Sequence, residues 1–296
     1  MKIAVIGAGK WGSALFDALS AKNECVITSR TPRQIPHFVS VSEALECEAL
    51  VFAIAAQQTA QWLDQNFTYK NQKILVASKG IDVASGRVLN EIFEAYVARG
   101  NLAYLSGPSF ATEVMQKLPC ALVVSSCNEN LAELFASTFP AYIKTYTSGD
   151  IIGAEVCGAY KNVIAIASGV CDGLGLGNNA RASLIARGIV EIARFGKFFG
   201  ARDETFLGLS GVGDLFLTAS SALSRNYRVG LGLARGKGLE EILRELGEVA
   251  EGVATTEAVV NIATKHKIYA PIATEVAQIL HGKDVRASLK DLLRKK

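Results

Sequence analysis

A glycine-spaced loop near the start of the chain limits its fold more than any other feature. The apolar run at residues 3–6 is typical of a short, buried parallel strand, and the letters GAGKWG follow it directly. In this G-x-G-x-x-G pattern, Gly7 permits a tight turn, Gly9 lets the backbone approach a pyrophosphate, and Gly12 lets the next helix pack on the strand. The spacing therefore predicts a dinucleotide-binding loop. A tight turn with packing glycines is the alternative.

Two larger residues, Lys10 and Trp11, lie inside this loop. They fall at the start of the predicted helix, where backbone N–H groups and a partial positive charge favour phosphate. We therefore expect both residues to contact the cofactor through their backbone N–H groups. The Trp11 side chain suits a packing role equally well.

Strand and helix patterns alternate over the first half of the chain, which predicts right-handed crossovers in a mostly parallel sheet. After about residue 148 only helical patterns follow. The sequence thus predicts an α/β protein, with an N-terminal Rossmann-like doubly wound sheet and a C-terminal all-helical domain. The predicted domains are 1–148, binding the dinucleotide, and 149–296, binding substrate and carrying catalysis. The predicted strands are 3–6, 25–28, 50–55, 73–77, 102–105, 121–125 and 142–146, and one predicted helix covers 86–99.

The end of the second predicted strand bears on the choice of nucleotide. NAD-selective enzymes usually carry Asp or Glu there to hold the ribose hydroxyls. Here the strand ends in Thr28, Ser29 and Arg30, and Arg33 follows closely. Two guanidiniums can pair with a 2′-phosphate, and no carboxylate is present to repel it. The pattern favours NADPH, with NADH as a second hydride carrier; solvated loop arginines are the alternative.

Composition limits the partners and the location of the chain. The 296 residues carry a net charge of only +3, which gives no reason to expect nucleic acid or a membrane surface as a partner. The six cysteines contain no C-x-x-C pair, and a strand pattern begins at the N-terminus without a signal peptide, so we expect reduced thiols and a cytoplasmic location. The three histidines show no metal-ligand spacing. Long apolar helices in the second half are compatible with a homodimer.

A lysine lies within the most apolar stretch of the chain, residues 151–170. The charges of Glu155 and Lys161 in this stretch favour a buried helix over a membrane span. Burial of an unpaired ammonium costs free energy and lowers the pKa of a lysine, which can then act as a general base near neutral pH. Oxidation of an alcohol by hydride transfer needs such a base. Lys161 is therefore the predicted proton acceptor; the alternative is a lysine that extends to the helix surface.

The letters SRN at residues 224–226 predict an anion site. Ser224 is a favourable N-cap, so Arg225 and Asn226 fall in the first turn of a helix. The N–H groups there, together with a fixed guanidinium charge, suit a phosphate monoester. A plain helix cap is the alternative.

Six segments follow one another over nearly the whole chain: GAGKWGSAL, SKGI, GPSFATE, YKNVIAI, GVGDLFLTASSALSRNYRVG and VAEGVATTEA. In this order they resemble the bacterial NAD(P)-dependent glycerol-3-phosphate dehydrogenase family. The resemblance implies reversible reduction of a phosphorylated triose, dihydroxyacetone phosphate, to sn-glycerol 3-phosphate for glycerophospholipid synthesis. Two departures from the family pattern, Lys10 and the segment IAAQQ at 54–58, bear on cofactor preference and on the shape of that loop.

The resemblance also implies roles for individual residues. Lys161 corresponds to the proton acceptor of the family, and Asn162 and Thr218 are expected to be supporting polar groups. The residues expected to bind substrate are Lys79, Gly107, Ser109, Lys161, Asp214, Ser224, Arg225 and Asn226. The residues expected to bind cofactor are Gly7, Gly9, Lys10, Trp11, Gly12, Arg30, Arg33, Lys79, Ala111, Arg225, Val249 and Glu251.

Two other functions are compatible with these motifs. A hydroxy-acid dehydrogenase or ketopantoate reductase of the same architecture would place a substrate carboxylate, not a phosphate, on Arg225. A non-catalytic NADPH-binding regulator would keep the glycine loop but would need neither a buried Lys161 nor an anion site. Oxidation of NADPH in the presence of dihydroxyacetone phosphate would separate the enzyme from the regulator.

Overall fold

The computed structural model describes residues 1–294, which divide into two compact units. The first unit comprises Met1–Lys79 and Val88–Glu155; the second comprises Gly80–Arg87 and the chain from Val156 onward. A seven-stranded sheet lies in the first unit, and helices make up the second. The predicted fold class, a doubly wound sheet followed by a helical domain, is confirmed. The functional roles assigned to 1–148 and 149–296 stay predictions.

The sheet has the strand order β2-β1-β3-β4-β5-β6-β7. All adjacent strands among them pair in parallel except β5 and β6, which are antiparallel. The chain runs from β1 outward to β2 and then crosses to β3 on the other side of β1, so the order reverses there. Open α/β sheets bind ligands beyond the strand ends at such a reversal. The strands are β1 Lys2–Ile6, β2 Glu24–Thr28, β3 Ala49–Phe52, β4 Lys73–Val76, β5 Leu102–Ser106, β6 Cys120–Ser125 and β7 Ile143–Ser148.

Both faces of the sheet are covered by apolar cores, which explains why the strands read as continuous apolar runs. Alternate residues of β1 enter different cores: Ile3 and Val5 lie in one, and Ala4 and Ile6 lie in the other. Helices α1 and α6 pack in the first core, and α3 and α4 pack in the second. The helices of this unit are α1 Lys10–Ser20, α2 Val41–Ala44, α3 Ala56–Asn66, α4 Leu89–Phe93, α5 Ala111–Met115 and α6 Glu129–Ser137.

The helix predicted over 86–99 is wrong in its extent, because α4 covers only Leu89–Phe93. The residues before it form a turn that side chains close. Asp82 accepts the backbone N–H of Ser85 at 2.9 Å and its hydroxyl at 2.5 Å, and the Gly86 N–H donates to the Asp82 carbonyl at 2.8 Å. Short Asp and Ser side chains that bond nearby backbone compete with helix formation.

The second unit is built on α7, a helix of 23 residues that begins in the first unit. By length and composition α7 passes as a membrane span, but 89% of its most apolar window is buried inside the structure, as in the core helix of a globular protein. The helices are α7 Ile151–Gly173, α8 Gly177–Phe198, α9 Asp203–Leu207, α10 Asp214–Ala219, α11 Arg225–Ala234, α12 Leu239–Leu246, α13 Glu251–His266, α14 Pro271–Leu280 and α15 Val285–Leu293.

Candidate active site

The glycine loop follows β1 and is closed by backbone contacts that only glycine allows. Gly7 has a φ of +115°, and its N–H donates to the carbonyl of Thr28 at the end of β2, at 2.8 Å. A Cβ added to Gly12 would lie 1.8 Å from the Gly7 carbonyl oxygen. The turn and the close helix packing predicted from the spacing are therefore both present.

The first turn of α1 fits the pyrophosphate of a dinucleotide. Gly9 is the N-cap of α1 without a side-chain hydrogen bond, and a Cβ added there would meet no atom within 4 Å. Open space thus lies beside the backbone at the positive end of the helix dipole. The Trp11 indole donates to the Ala77 carbonyl at 3.0 Å and packs against the core. The Trp11 ring thus anchors α1 to the end of β4. The backbone N–H groups of Lys10 and Trp11 both lie in the first turn of α1.

Arg30 and Arg33 lie just beyond the end of β2, and both residues are exposed. Thr28, the last residue of that strand, is buried, and its hydroxyl donates to the Val39 carbonyl at 2.8 Å. The strand end is thus fixed, while the two guanidiniums are accessible to an anionic group. Their assignment to a 2′-phosphate stays a prediction.

Three predicted substrate residues of the first unit come together at the ends of β4 and β5. The Lys79 ammonium donates to the Gly107 carbonyl at 3.3 Å, and the Ser109 hydroxyl donates to the same oxygen at 3.2 Å. Ala111, a predicted cofactor contact, is the first residue of α5 and half-buried. A cation and a hydroxyl therefore share one strand end, where a polar ligand atom can be held.

A buried acid lies beside Lys79, and sequence reasoning gave it no functional role. Glu155 lines the same recess as Lys79, Tyr104 and Ser106. Its carboxylate accepts the Asn90 N–H at 2.6 Å. Burial raises the pKa of Glu155 from its ordinary 4.5 to about 8, against the opposing effect of that hydrogen bond. The sequence signal that could have indicated a role for Glu155 is an acidic residue within an apolar helical segment.

In the second unit, the predicted base is buried and paired. The Lys161 ammonium donates to Asp214 Oδ1 at 2.5 Å and to the Thr218 hydroxyl at 3.0 Å. Only 8% of Lys161 and 1% of Asp214 is exposed, so Lys161 does not extend to the helix surface. Asp214 begins α10 directly after a π-helical turn, Leu209–Gly213, a feature that often marks functional sites.

Asn162 and Asn226 meet the start of α13. The N–H of Gly252 donates to the Asn226 side-chain oxygen at 2.9 Å, and a Cβ on Gly252 would lie 2.8 Å from that oxygen and from the Asn162 carbonyl. The segments YKN, SRN and AEG of the sequence thus converge within one unit. Asn162 itself donates to the Gly158 carbonyl at 3.3 Å.

The helix start predicted at residues 224–226 is present as the start of α11, and its role as an anion site stays a prediction. Ser224 is the N-cap, and its hydroxyl oxygen accepts the Tyr227 N–H at 3.2 Å. Arg225 is exposed and forms a 3.5 Å ion pair with Glu248. Val249 is 61% exposed, and Glu251 is the first residue of α13. The Glu248 carboxylate competes with any anion for Arg225. The sequence around Glu248 did not predict this ion pair.

Comparison with known proteins decides the family. The family profile described as the C-terminus of NAD-dependent glycerol-3-phosphate dehydrogenase matches residues 150–290, and the profile of its N-terminus matches residues 27–132. A glycerol-3-phosphate dehydrogenase (NAD(P)+) of Campylobacter lari is 62% identical over 296 residues, covering 100% of this chain and 99% of the relative. The chain belongs to the NAD-dependent glycerol-3-phosphate dehydrogenase family.

Two further relatives are similar to this member of the dehydrogenase family over nearly its full length. The glycerol-3-phosphate dehydrogenase (NAD(P)+) of Sulfurimonas denitrificans is 62% identical over 292 residues, covering 99% of each chain. A crystal structure of glycerol-3-phosphate dehydrogenase from Coxiella burnetii superimposes with a TM-score of 0.91 at 31% identity, covering 99% of each chain. The resemblance drawn from the six ordered segments is therefore confirmed at the level of the family.

Proposed function

We propose that this chain catalyses the reversible reduction of dihydroxyacetone phosphate to sn-glycerol 3-phosphate with NADPH or NADH. The observation that carries the proposal is the buried Lys161 ammonium, 2.5 Å from Asp214 and 3.0 Å from Thr218. A buried, oriented ammonium can exchange a proton with a carbonyl or alcohol oxygen. Relatives 58–62% identical over 99–100% of this chain carry the name of this activity, which supports the same conclusion.

The first unit supplies the cofactor site in this proposal. The first turn of α1 holds the pyrophosphate, with Gly7, Gly9 and Gly12 bringing the backbone close. Arg30 and Arg33 hold a 2′-phosphate, so NADPH is preferred over NADH. When bound, the nicotinamide supplies the hydride for the substrate carbonyl. The remaining proposed contacts of this unit are Lys10, Trp11, Lys79 and Ala111, and those proposed from the second unit are Arg225, Val249 and Glu251.

The second unit binds the substrate and moves the proton. Arg225 and the N–H groups of the first turn of α11 hold the substrate phosphate, while Ser224 and Asn226 shape that turn. Lys161 donates a proton to the substrate oxygen during reduction and accepts it during oxidation. Asp214 and Thr218 keep its ammonium in place. A general acid or base of this kind contributes about 10²–10⁴-fold to the rate, and fixed orientation contributes more.

Three further substrate contacts are proposed in the first unit, at the end of the sheet. Lys79 binds an oxygen of the substrate, and Gly107 and Ser109 line the same strand end. At the level of the cell, we propose a cytoplasmic enzyme whose product feeds glycerophospholipid synthesis. We propose a homodimer as its assembly, because α7 is buried but the exposed apolar side chains Val190 and Phe198 of α8 offer a surface for it.

The direct test is consumption of NADPH by the purified protein with dihydroxyacetone phosphate, compared with ketopantoate and with dihydroxyacetone. Rapid turnover of the phosphorylated triose alone is expected. Arg225→Ala should raise the KM for dihydroxyacetone phosphate and leave the slow reaction of dihydroxyacetone unchanged, whereas Arg244→Ala, on an exposed residue of α12, should alter neither. Preferred turnover of ketopantoate, or no turnover of any substrate, would overturn the proposal.

A further inference from the structure

Helix α11, which carries Arg225, rests directly on the backbone of α7, which carries Lys161. A Cβ added to Gly169 of α7 would lie 2.0 Å from the Tyr227 carbonyl oxygen. A Cβ added to Gly230 of α11 would lie 2.0 Å from the Ile166 carbonyl oxygen. The two helices therefore touch backbone to backbone. Such a crossing fixes their separation, but two smooth glycine surfaces leave the rotation of α11 about its own axis to other contacts.

Polar contacts of Asn226 and Tyr227 set that rotation, and the Asn226 side-chain oxygen accepts the Gly252 N–H at 2.9 Å. The Tyr227 hydroxyl donates to Asp172 Oδ2 at 2.5 Å, and Arg181 of α8 donates to the same oxygen at 2.8 Å. Arg181 also donates to the Asn178 side-chain oxygen at 2.9 Å, which holds its guanidinium in place. Burial, as the larger cause, and the hydrogen bond to Asp172, as the next, raise the pKa of Tyr227 to about 12. The phenol therefore keeps its proton, and stays a donor, at any pH used for enzyme assay.

Tyr227 lies opposite Arg225 on α11. At about 100° per residue, side chains two positions apart point to nearly opposite sides of a helix. Tyr227 is buried with its hydroxyl on Asp172, whereas Arg225 is exposed. The Tyr227 N–H also donates to the Ser224 N-cap at 3.2 Å. Tyr227 is thus held through its side chain and its backbone, and a rotation of α11 that broke the first contact would turn Arg225 as well.

We propose that Tyr227, fixed by Asp172 and Arg181, is a positioning residue that sets the direction of Arg225 at the anion site. The inference rests on the proposed function, since the substrate phosphate is the anion that Arg225 receives there. Tyr227 touches no substrate in this scheme. It acts through α11, so its effect falls on phosphate affinity and spares the proton exchange at Lys161.

The test is Tyr227→Phe, which removes the hydroxyl and keeps the ring. A hydrogen bond to a carboxylate corresponds to roughly 10–150-fold in an equilibrium constant, and we expect only part of it, about 5–10-fold, to reach the phosphate affinity because Tyr227 acts through α11. We expect the KM for dihydroxyacetone phosphate and the dissociation constant for inorganic phosphate, measured by calorimetry, to rise by that factor. The kcat with dihydroxyacetone phosphate and the rate with dihydroxyacetone should stay within about 2-fold of wild type. Neither depends on phosphate binding at Arg225. Tyr96→Phe is the matched control, since that hydroxyl also donates to an aspartate, Asp64, at 3.2 Å in the first unit.

A pair of Asp172 variants distinguishes a positioning role of Tyr227 from a general loss of structure. Asp172→Asn keeps an oxygen that can accept the Tyr227 hydroxyl, so it should retain most of the phosphate affinity. Asp172→Leu should match Tyr227→Phe, and the double variant should be no weaker than either. Unchanged phosphate affinity in Tyr227→Phe would overturn the inference. An equal rise in KM for both substrates, accompanied by a lower melting temperature, would also overturn it, because that pattern indicates general destabilisation.

The calorimetric titration separates this inference from the proposed function. A wild-type protein that binds phosphate but does not reduce dihydroxyacetone phosphate would refute the proposed activity. The comparison of phosphate binding between wild type and Tyr227→Phe would still decide the role of Tyr227. A wild-type protein that reduces dihydroxyacetone phosphate but binds no inorganic phosphate would overturn this inference and leave the proposed activity standing, since no anion site would then exist for Tyr227 to position.

Discussion

At the scale of single residues, Lys161 shows how a charge can be kept in the interior. Its ammonium and the Asp214 carboxylate are both buried and lie 2.5 Å apart. Desolvation costs several kcal/mol for each ion, and mutual attraction offsets that cost only while both partners are present. Removal of either one leaves the other buried without its oppositely charged partner. A loss of turnover at Lys161 must therefore be separated from a loss of folding.

We expect Lys161→Met to lower kcat by about 10²–10⁴-fold and the free energy of unfolding by about 3–5 kcal/mol. Adding Asp214→Leu removes the isolated carboxylate, so the double variant should recover much of the stability but none of the turnover. Urea denaturation and NADPH consumption measure the two effects, and fluorescence titration should show NADPH affinity close to wild type. Recovery of kcat in the double variant would contradict the assignment of Lys161.

Glu155 is a second buried ionisable group, and burial keeps its carboxyl protonated near neutral pH, whereas Asp214 is paired with an ammonium. The Glu91 and Glu94 carboxylates add to the burial effect that raises its pKa, and the Asn90 N–H opposes it. The folded protein holds the Glu155 proton up to about pH 8, whereas an unfolded chain releases it near 4.5. The resulting stabilisation is complete below the lower pH and is lost as the pH rises through about 8.

The free energy of unfolding should therefore fall as the pH rises from about 5 to about 8, by up to roughly 1.4 kcal/mol per pH unit from this one group. Glu155→Gln has no proton to lose there and should flatten the slope, while its amide oxygen can still accept the Asn90 N–H. Urea denaturation at several pH values measures the slope. The exposed Glu133→Gln is the control and should keep the wild-type slope. An unchanged slope in Glu155→Gln would refute this account.

At the scale of elements, periodic segments were predictable and turns closed by side chains were not. The strands and the glycine loop follow from apolar runs and glycine spacing, and Pro271–Leu280 of α14 follows from its pattern and its proline. The antiparallel pairing of β5 with β6 has no local signal, because strand direction is set by tertiary packing. In the active site, the residue types were readable, but the pairing of Lys161 with a carboxylate 53 positions away depends on the fold.

The N-terminus of α14 is capped from another helix, which no local pattern shows. Ala270, the N-cap, makes no side-chain hydrogen bond. Instead, Glu191 of α8 accepts the N–H groups of Ile272 and Ala273, each at 2.9 Å, and the Tyr160 hydroxyl at 2.8 Å. One carboxylate thus satisfies three buried donors and joins α14 to α7 and α8.

Glu191→Leu leaves those three donors without an acceptor and should lower the free energy of unfolding by about 3–5 kcal/mol. Tyr160→Phe removes only one donor and keeps both backbone bonds, so it should cost about 1 kcal/mol. Glu240→Gln, on an exposed residue of α12, is the control and should change stability by less than about 0.5 kcal/mol. Chemical denaturation measures all three. Equal losses in Glu191→Leu and in the control would show that the cap contributes nothing.

At the scale of the whole molecule, charge is nearly balanced, with 31 basic and 28 acidic residues. At physiological salt, exposed charges are screened beyond about 8 Å. Net charge therefore does not select the anionic ligands of this enzyme, and we expect recognition to come from local cations. The proposed cations lie in different units: Arg30 and Arg33 after β2 in the first, and Arg225 at the start of α11 in the second.

If recognition is local, the preference for NADPH over NADH can be changed without altering the rest of the enzyme. Arg30→Ala with Arg33→Ala should lower kcat/KM for NADPH by about 10–100-fold, because charge-assisted bonds to the 2′-phosphate are lost, and should leave NADH within about 3-fold. The ratio of kcat/KM for the two nucleotides measures this. Arg99→Ala removes another exposed guanidinium of the first unit, paired with Glu94 at 3.0 Å, and should leave the ratio unchanged. Added salt should weaken NADPH more than NADH in the wild type and equally in the double variant. An equal loss for both nucleotides would place the two arginines outside the 2′-phosphate site.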